Sequence, residues 1–404
     1  MTNTTSTSNP RYPSRSRGNL IEMLGHALAV GQLTVTTPSG SAYRFAADRP
    51  GPSAELNIHK PGLAGKLLTG GDVGFAEAYI EGICGSPNLT ALIELGALNE
   101  DVSWKGFLEG ARVFRWLQRL SHRVRPNSKR GARRNIRDHY DLGNDFYAAW
   151  LDPTMTYSAA IYPSADATLE EAQRYKYQRL IEQLDLSADH RLLEIGCGWG
   201  GFAIHAAETV GCKVTAVTIS EAQYRFAAAR IAEAGLADRI ELRLQDYRDL
   251  DGCFDRIVSI EMLEAVGESY WPVYFDKLHS LLREGGRAAI QVITIDADCW
   301  QDYRNNPDFI QRYIFPGGML PTVNRLQNES ERAGLNWEDC QGFGGSYART
   351  LVAWREAFEA SWPALSGMGF DEKFRRMWRY YLCYCEAAFN VGRIDVQQIA
   401  LHRP

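Results

Sequence analysis

The chain has 404 residues, 45% hydrophobic and 23% charged, the balance of an ordinary globular protein long enough for two cores. A formal net charge of −5 argues against a general nucleic-acid binder. Its eight cysteines include no CxxC pair, which excludes a small disulfide scaffold and zinc-ligand spacing; reduced thiols in the cytoplasm and no metal site are expected.

Residues 1–18 are polar and without a secretory core, so a disordered tail is expected. Residues 20–30 have helical apolar periodicity. The runs 33–38 (LTVTTP) and 41–46 (SAYRFA), split by Ser39 and Gly40, read as a hairpin. GDVGFAEAYIEG (71–82) opens a helical segment reaching about Leu98. Together these predict a small α+β domain over 19–100.

A linker helix is predicted over 101–137. Its part 111–137 holds ten Lys or Arg and no acid, with Val113, Phe114, Leu117 and Leu120 at helical spacing. Three readings stand: a solvated linker, an amphipathic segment on an anionic membrane, or an RNA patch. On a membrane each cation adds roughly 1 kcal/mol near the headgroups. No apolar run reaches about 18 residues, so the membrane contact expected is peripheral.

From 138 to 404 the pattern changes. Short apolar runs at 191–195, 213–218, 240–244, 254–260 and 287–293 alternate with helix-like stretches at 201–210, 221–234 and 269–283. Such alternation predicts an α/β, Rossmann-like, parallel doubly wound sheet. A helix over 371–390 and a strand near 394–402 close the chain.

The first of these strands runs into EIGCGWGG (194–201). Gly196, Gly198 and Gly201 satisfy GxGxxG, a weak motif by itself, while glycines there let backbone approach a ligand. A dinucleotide site would place an acid at the end of the second strand, where this chain has Thr218. The acid stands instead at Glu194, before the glycines, where class I methyltransferases hold the methionine part of S-adenosylmethionine. A nicotinamide or flavin oxidoreductase is therefore disfavoured. A non-catalytic lipid-binding protein and an RNA methyltransferase are the remaining rivals.

HYDLGNDFYAAWLDPTMTYS (139–158), EEAQRYK (170–176), LLEIGCGWGG (192–201), VTISEAQ (217–223), QDYRD (245–249), FDRIVSIEMLEAVG (254–267) and YIFPGGMLPT (313–322) occur in that order. With them the chain resembles the cyclopropane-fatty-acyl-phospholipid synthases and their mycolic-acid-modifying relatives, class I methyltransferases. The resemblance runs from about residue 20 to the end. It implies that Tyr157, Ser158, Glu194, Gly196, Cys197, Gly198, Trp199, Gly200 and Ser220 contact S-adenosylmethionine. It implies that Thr218 and Gln223 hold its ribose and that Tyr247 and Arg248 flank its adenine. His139, Tyr140 and Tyr147 match a motif near the acyl site, and Cys385 matches a cysteine sometimes named catalytic.

The implied reaction has the π electrons of a cis double bond attack a sulfonium methyl, leaving a cation on the acyl chain. The resemblance further implies a bound bicarbonate as base, and Glu264, Tyr347 and the Ile293 backbone match three members of its shell. Two members differ: Ala159 stands for a Cys and Gln291 for a His, and Ala265 follows Glu264 where His is common. Gln291 can still donate to an oxyanion. The expected activity is transfer of a methylene or methyl group to an unsaturated phospholipid acyl chain, with C-methylation without ring closure as the alternative. The expected partners are acyl chains at a membrane surface and a second copy of the chain, with no nucleic acid.

Overall fold

The computed structural model describes Ile21, Leu24, Gly25, residues 28–100 and residues 142–404. The tail 1–18, the basic segment 111–137, His139 and Tyr140 lie outside the described residues.

The N-terminal elements are β1 (Val30–Thr36), β2 (Ala42–Ala46), β3 (Arg49–Ile58), α1 (Leu63–Ile80), β4 (Cys84–Gly85) and α2 (Leu89–Leu98). Their sheet has the order β2-β1-β3-β4. The predicted hairpin is β1–β2, antiparallel and turning through Gly40 at φ 85°. Leu33 and Val35 of β1 point into the core, whereas β2 forms the outer edge.

Two expectations need correction here, and one strand was not expected at all. Val30 is already strand, so the first helix stops short of it. β3 carries Pro50, Gly51 and Pro52 in its first four residues, poor strand formers, yet it pairs parallel to β1. The segment 71–98 is two helices rather than one. α1 starts at Leu63 and ends before Gly82, whose φ of 69° terminates it, and Asn88 caps α2 by accepting from the Ala91 amide at 3.1 Å.

The second set comprises α3 (Asn144–Ala148), α4 (Leu169–Gln183), β5 (Arg191–Ile195), α5 (Gly201–Thr209), β6 (Lys213–Thr218), α6 (Glu221–Glu233), β7 (Ile240–Leu244) and β8 (Phe254–Ile260). It continues through α7 (Trp271–Leu281), β9 (Leu282–Ile295), α8 (Ala297–Asn305), α9 (Val323–Arg332), β10 (Asn336–Gly342), α10 (Gly344–Ala360), α11 (Trp362–Gly367), α12 (Glu372–Asn390) and β11 (Ile394–His402). The sheet order is β10-β11-β9-β8-β5-β6-β7. β9, β8, β5, β6 and β7 run parallel, β11 is antiparallel to β9, and β10 to β11. β10 (NWEDCQG) was not expected, because an edge strand this polar carries no apolar signal.

From β5 the chain winds outward through β6 and β7, then crosses back to β8 and β9. The strand order thus reverses between β5 and β8, and the crevice outside their C-terminal ends is where doubly wound sheets bind ligands. α12 fastens the small sheet beside that crevice. Arg376 donates to the Tyr79 and Cys84 carbonyls at 2.6 and 2.9 Å, and Thr90 donates to Glu386 at 2.9 Å. One apolar cluster runs from Leu33, Leu56 and Tyr79 into Phe309, Tyr380 and Leu382.

Candidate active site

A single cavity of about 1270 Å³ opens at the strand-order reversal. Its wall includes Glu194, Gly198, Thr218 and Tyr247; Glu261, Glu264, Ile293 and Tyr347; and Leu33, Leu56, Phe75 and Leu92 of the N-terminal elements.

The loop after β5 is shaped by its glycines. The Gly196 and Cys197 amides donate to the Val217 carbonyl at 3.0 and 2.9 Å, which turns the chain back over β6. Gly198 has φ 52°, and a Cβ built there meets nothing within 4 Å, so its open side faces a ligand's space. Gly201 answers to packing instead: its Cβ would lie 2.5 Å from the Tyr177 hydroxyl. Gly200, at φ 83°, caps α5.

Glu194 is buried, and its Oε2 has no hydrogen-bond partner. Burial pushes its carboxyl up to about 8, against the lowering effect of the Ala203 amide and the Lys176 charge. An ammonium placed beside it would restore the charge and satisfy the bare oxygen. Past β6, the Thr218 hydroxyl donates to Gln223 Oε1 at 2.9 Å, and Ser220 Oγ accepts the Gln223 amide at 3.3 Å, capping α6. This arrangement is neutral, as the sequence predicts for a site without a ribose acid.

Tyr247 is buried with an unpartnered hydroxyl. Arg248 is turned toward Asp246, donating to Oδ1 through Nε at 2.8 Å and to Oδ2 through Nη2 at 2.6 Å, and lies over the Tyr247 and Tyr270 rings. Tyr157 shares a hydroxyl contact of 2.8 Å with Tyr381, and Ser158 Oγ accepts from the buried Lys176 at 2.8 Å. Cys197 is buried, its thiol pushed well up, and Trp199 donates to Asn144 at 2.9 Å. Tyr147 is packed at 0% exposure between Trp150, Tyr157 and Trp199.

The cavity wall also holds a residue that the sequence reading passed over. Glu261 follows β8 with φ 49°, a left-handed conformation that a non-glycine residue adopts at a cost. Its Oε1 accepts from the Ala159 amide at 2.8 Å and from Gln291 Nε2 at 2.8 Å; its Oε2 accepts from the Tyr347 hydroxyl at 2.8 Å. Gln398 donates to Gln291 Oε1 at 3.1 Å, fixing the amide so that its nitrogen faces Glu261. Burial raises the Glu261 carboxyl, while these donors and the Lys176 charge oppose the shift. Beside it, Glu264 Oε1 accepts from the Ile293 amide at 2.6 Å and its Oε2 is unpartnered. Burial, followed by the Glu261 charge, pushes Glu264 up to about 8.

Bicarbonate does not fit this arrangement. The donors expected to hold it, around Ala159, Gln291 and Tyr347, already hold the Glu261 carboxylate, and the Ile293 amide is taken by Glu264. That expectation is corrected on this ground. Cys385 does line the cavity, yet burial followed by Asp308 pushes its thiol far up, which opposes a thiolate role. The signal for Glu261 was present in VSIEMLEAVG (258–267), where two glutamates stand three apart directly after a strand.

Comparison with known proteins agrees with the geometry. Residues 127–399 match the mycolic acid cyclopropane synthetase family. The chain is 41% identical over 373 residues to the tuberculostearic acid methyltransferase UfaA1 of Mycobacterium tuberculosis, covering 89% of this chain and 85% of that one. It is 36% identical over 362 residues to the cyclopropane-fatty-acyl-phospholipid synthase of Escherichia coli K12, covering 87% and 88%. The structure of the mycolic acid cyclopropane synthase CmaA1 complexed with SAH and CTAB superposes with a TM-score of 0.63 at 30% identity, over 67% of this chain and 97% of that one. With its glycine loop, the bare Oε2 of Glu194 and its class I fold, the chain belongs to the mycolic acid cyclopropane synthetase family and is an S-adenosylmethionine-dependent methyltransferase.

Proposed function

We propose that the chain adds a one-carbon unit from S-adenosylmethionine to the cis double bond of an unsaturated phospholipid acyl chain, and releases a branched, unsaturated chain without a ring. The continuous cavity carries this reading: it joins the glycine loop, two buried carboxylates and an apolar wall in one space. S-adenosylmethionine supplies an electrophilic sulfonium methyl and leaves as a thioether.

The chain's own residues take the remaining roles. Glu194 accepts the cofactor's ammonium, Gly198 lets its backbone come close, Thr218 and Gln223 hold the ribose, and Tyr247 packs on the adenine. Tyr157 and Ser158 close the methionine side. An alkene is a weak nucleophile, so attack needs a dry site with negative charge and π faces near the developing cation. Glu261, Tyr347, Phe315 and Tyr381 supply both from the cavity wall. The N-terminal leucines receive the acyl tail, and the basic segment 111–137 suits an anionic membrane surface.

The branched outcome is favoured over the ring by two observations. Identity is higher to a relative named a methyltransferase than to one named a cyclopropane synthase, 41% against 36%. The departures from the family pattern at Ala159 and Gln291 also meet at Glu261 in one hydrogen-bonded group. Cofactor with a trideuterated methyl, mixed phospholipids and NMR of the product chain test the reading. Three deuterons on the branch, or two on an exocyclic methylene, are expected. Ring product alone overturns the branched outcome, and label in no lipid overturns the acceptor.

A further inference from the structure

Resting on that alkene-methylating reading, we propose that the Glu261 carboxylate is the enzyme's resident base, built into the chain at the place where a bicarbonate ion was expected. The hydrogen bonds around Glu261 form a complete anion site whose anion is covalently attached. An amide, a carboxamide and a phenol converge on it, and a further carboxamide, Gln398, holds Gln291 in the donating orientation.

Geometry divides the labour between the neighbouring acids. Glu264 has one donor, the Ile293 amide, and a bare second oxygen, which favours its protonated form. Glu261 has three donors, which favours the charged form that a base must have before it acts. Both lone pairs of its Oε1 are engaged, whereas Oε2 meets only Tyr347 and keeps one pair for a proton. Glu261 lines the same cavity as the apolar wall that would receive the acyl chain. The left-handed backbone is the means of bringing it there: φ 49° at Glu261 aims the side chain back toward β9 and α10, and such strain at a site is retained where function needs it.

The step balances. The alkene π pair forms a carbon–carbon bond to the methyl while the sulfur–methyl bond breaks, its pair returning to sulfur. The acyl chain then carries a cation. Glu261 Oε2 takes a proton from a carbon next to the cationic centre, and the C–H pair becomes the π bond of a new carbon–carbon double bond. The sulfonium charge and the carboxylate charge have then cancelled, and the proton leaves to solvent before the next turnover.

The decisive comparison is between wild type, Glu261→Gln and Glu261→Gly. Wild type should turn over equally in carbonate-free buffer and with bicarbonate added. Glu261→Gln keeps the shape and removes the base, so turnover should fall about 100-fold or more while S-adenosylhomocysteine binding is unchanged. Glycine tolerates the positive φ and releases the Ala159, Gln291 and Tyr347 donors. Glu261→Gly should therefore bind ¹³C-labelled bicarbonate, seen by NMR, and regain about tenfold in rate when it is added; wild type should bind none. A wild type that needs bicarbonate, a Glu261→Gln that turns over normally, or a Glu261→Gly that neither binds nor responds to the ion overturns the proposal. Failure of the lipid reading is separate: wild type would then label no lipid, yet the bicarbonate-binding comparison would still report on the anion site.

Discussion

The cofactor end of the cavity and its carboxylate end differ in how the chain builds them. At the cofactor end, Glu194, Gly196 and Gly198 lie within five consecutive residues at the tip of β5, and Thr218 and Gln223 follow on the next strand–helix turn. The carboxylate end gathers Ala159, Glu261, Gln291, Tyr347 and Gln398, contributed by a loop, the turn after β8, two strands and a helix. Backbone geometry dominates the first end. Side-chain hydrogen bonding dominates the second. One end can therefore vary in its chemistry while the other keeps holding the same cofactor, and mutations should separate binding from turnover.

The largest expected effect tests the cofactor end. Gly198→Asp puts a carboxylate into the open side of the loop, at a positive φ, and should abolish S-adenosylhomocysteine binding by calorimetry; tight binding would break the assignment. Glu194→Ala removes the charge-assisted acceptor and should weaken binding by about 1.5–3 kcal/mol, with turnover at saturating cofactor much less affected.

A smaller effect sharpens the other end. Tyr347→Phe removes one donor from Glu261 Oε2 and should reduce turnover about tenfold, the equivalent of one hydrogen bond to a charged group. It should also move the rising limb of the pH–rate profile upward, because Glu261 loses a stabiliser of its charged form. Loss of cofactor affinity in this variant, with an unmoved pH profile, would erase the distinction between the two ends.

The smallest effect is on stability. Glu194 and Glu264 are each raised from an ordinary value near 4.5 to about 8 in the ligand-free fold. The folded state then holds protons that the unfolded chain releases. Their contribution is full below pH 4.5 and is lost as pH rises through 8. The melting temperature of the ligand-free protein should fall over that window, less so in Glu194→Gln. Binding S-adenosylhomocysteine at neutral pH should release a proton from Glu194, seen as a binding enthalpy that depends on the buffer; an enthalpy independent of buffer would count against the Glu194–ammonium contact.

What could be read in advance follows the same division. The parallel strands of the large sheet, the hairpin and the glycine loop were legible because each is written in contiguous residues: apolar runs of strand length, glycines where φ must be positive, an acid beside them. β3 was not, since its prolines and glycine speak against a strand and only pairing with β1 makes it one. The polar edge strand β10 likewise exists because β11 offers it a ladder.

Glu261 is the sharpest case. Its sequence context showed two acids three residues apart, and nothing local says which of them meets Gln291 and Tyr347, 30 and 86 residues away in the chain. The sequence alone determined the cofactor loop, the winding of the sheet and the family. Only the tertiary structure decided that the donors at Ala159, Gln291 and Tyr347 converge on a carboxylate of the chain itself, because such a group is defined by the donors folded around it, and those come from segments that meet only in the fold.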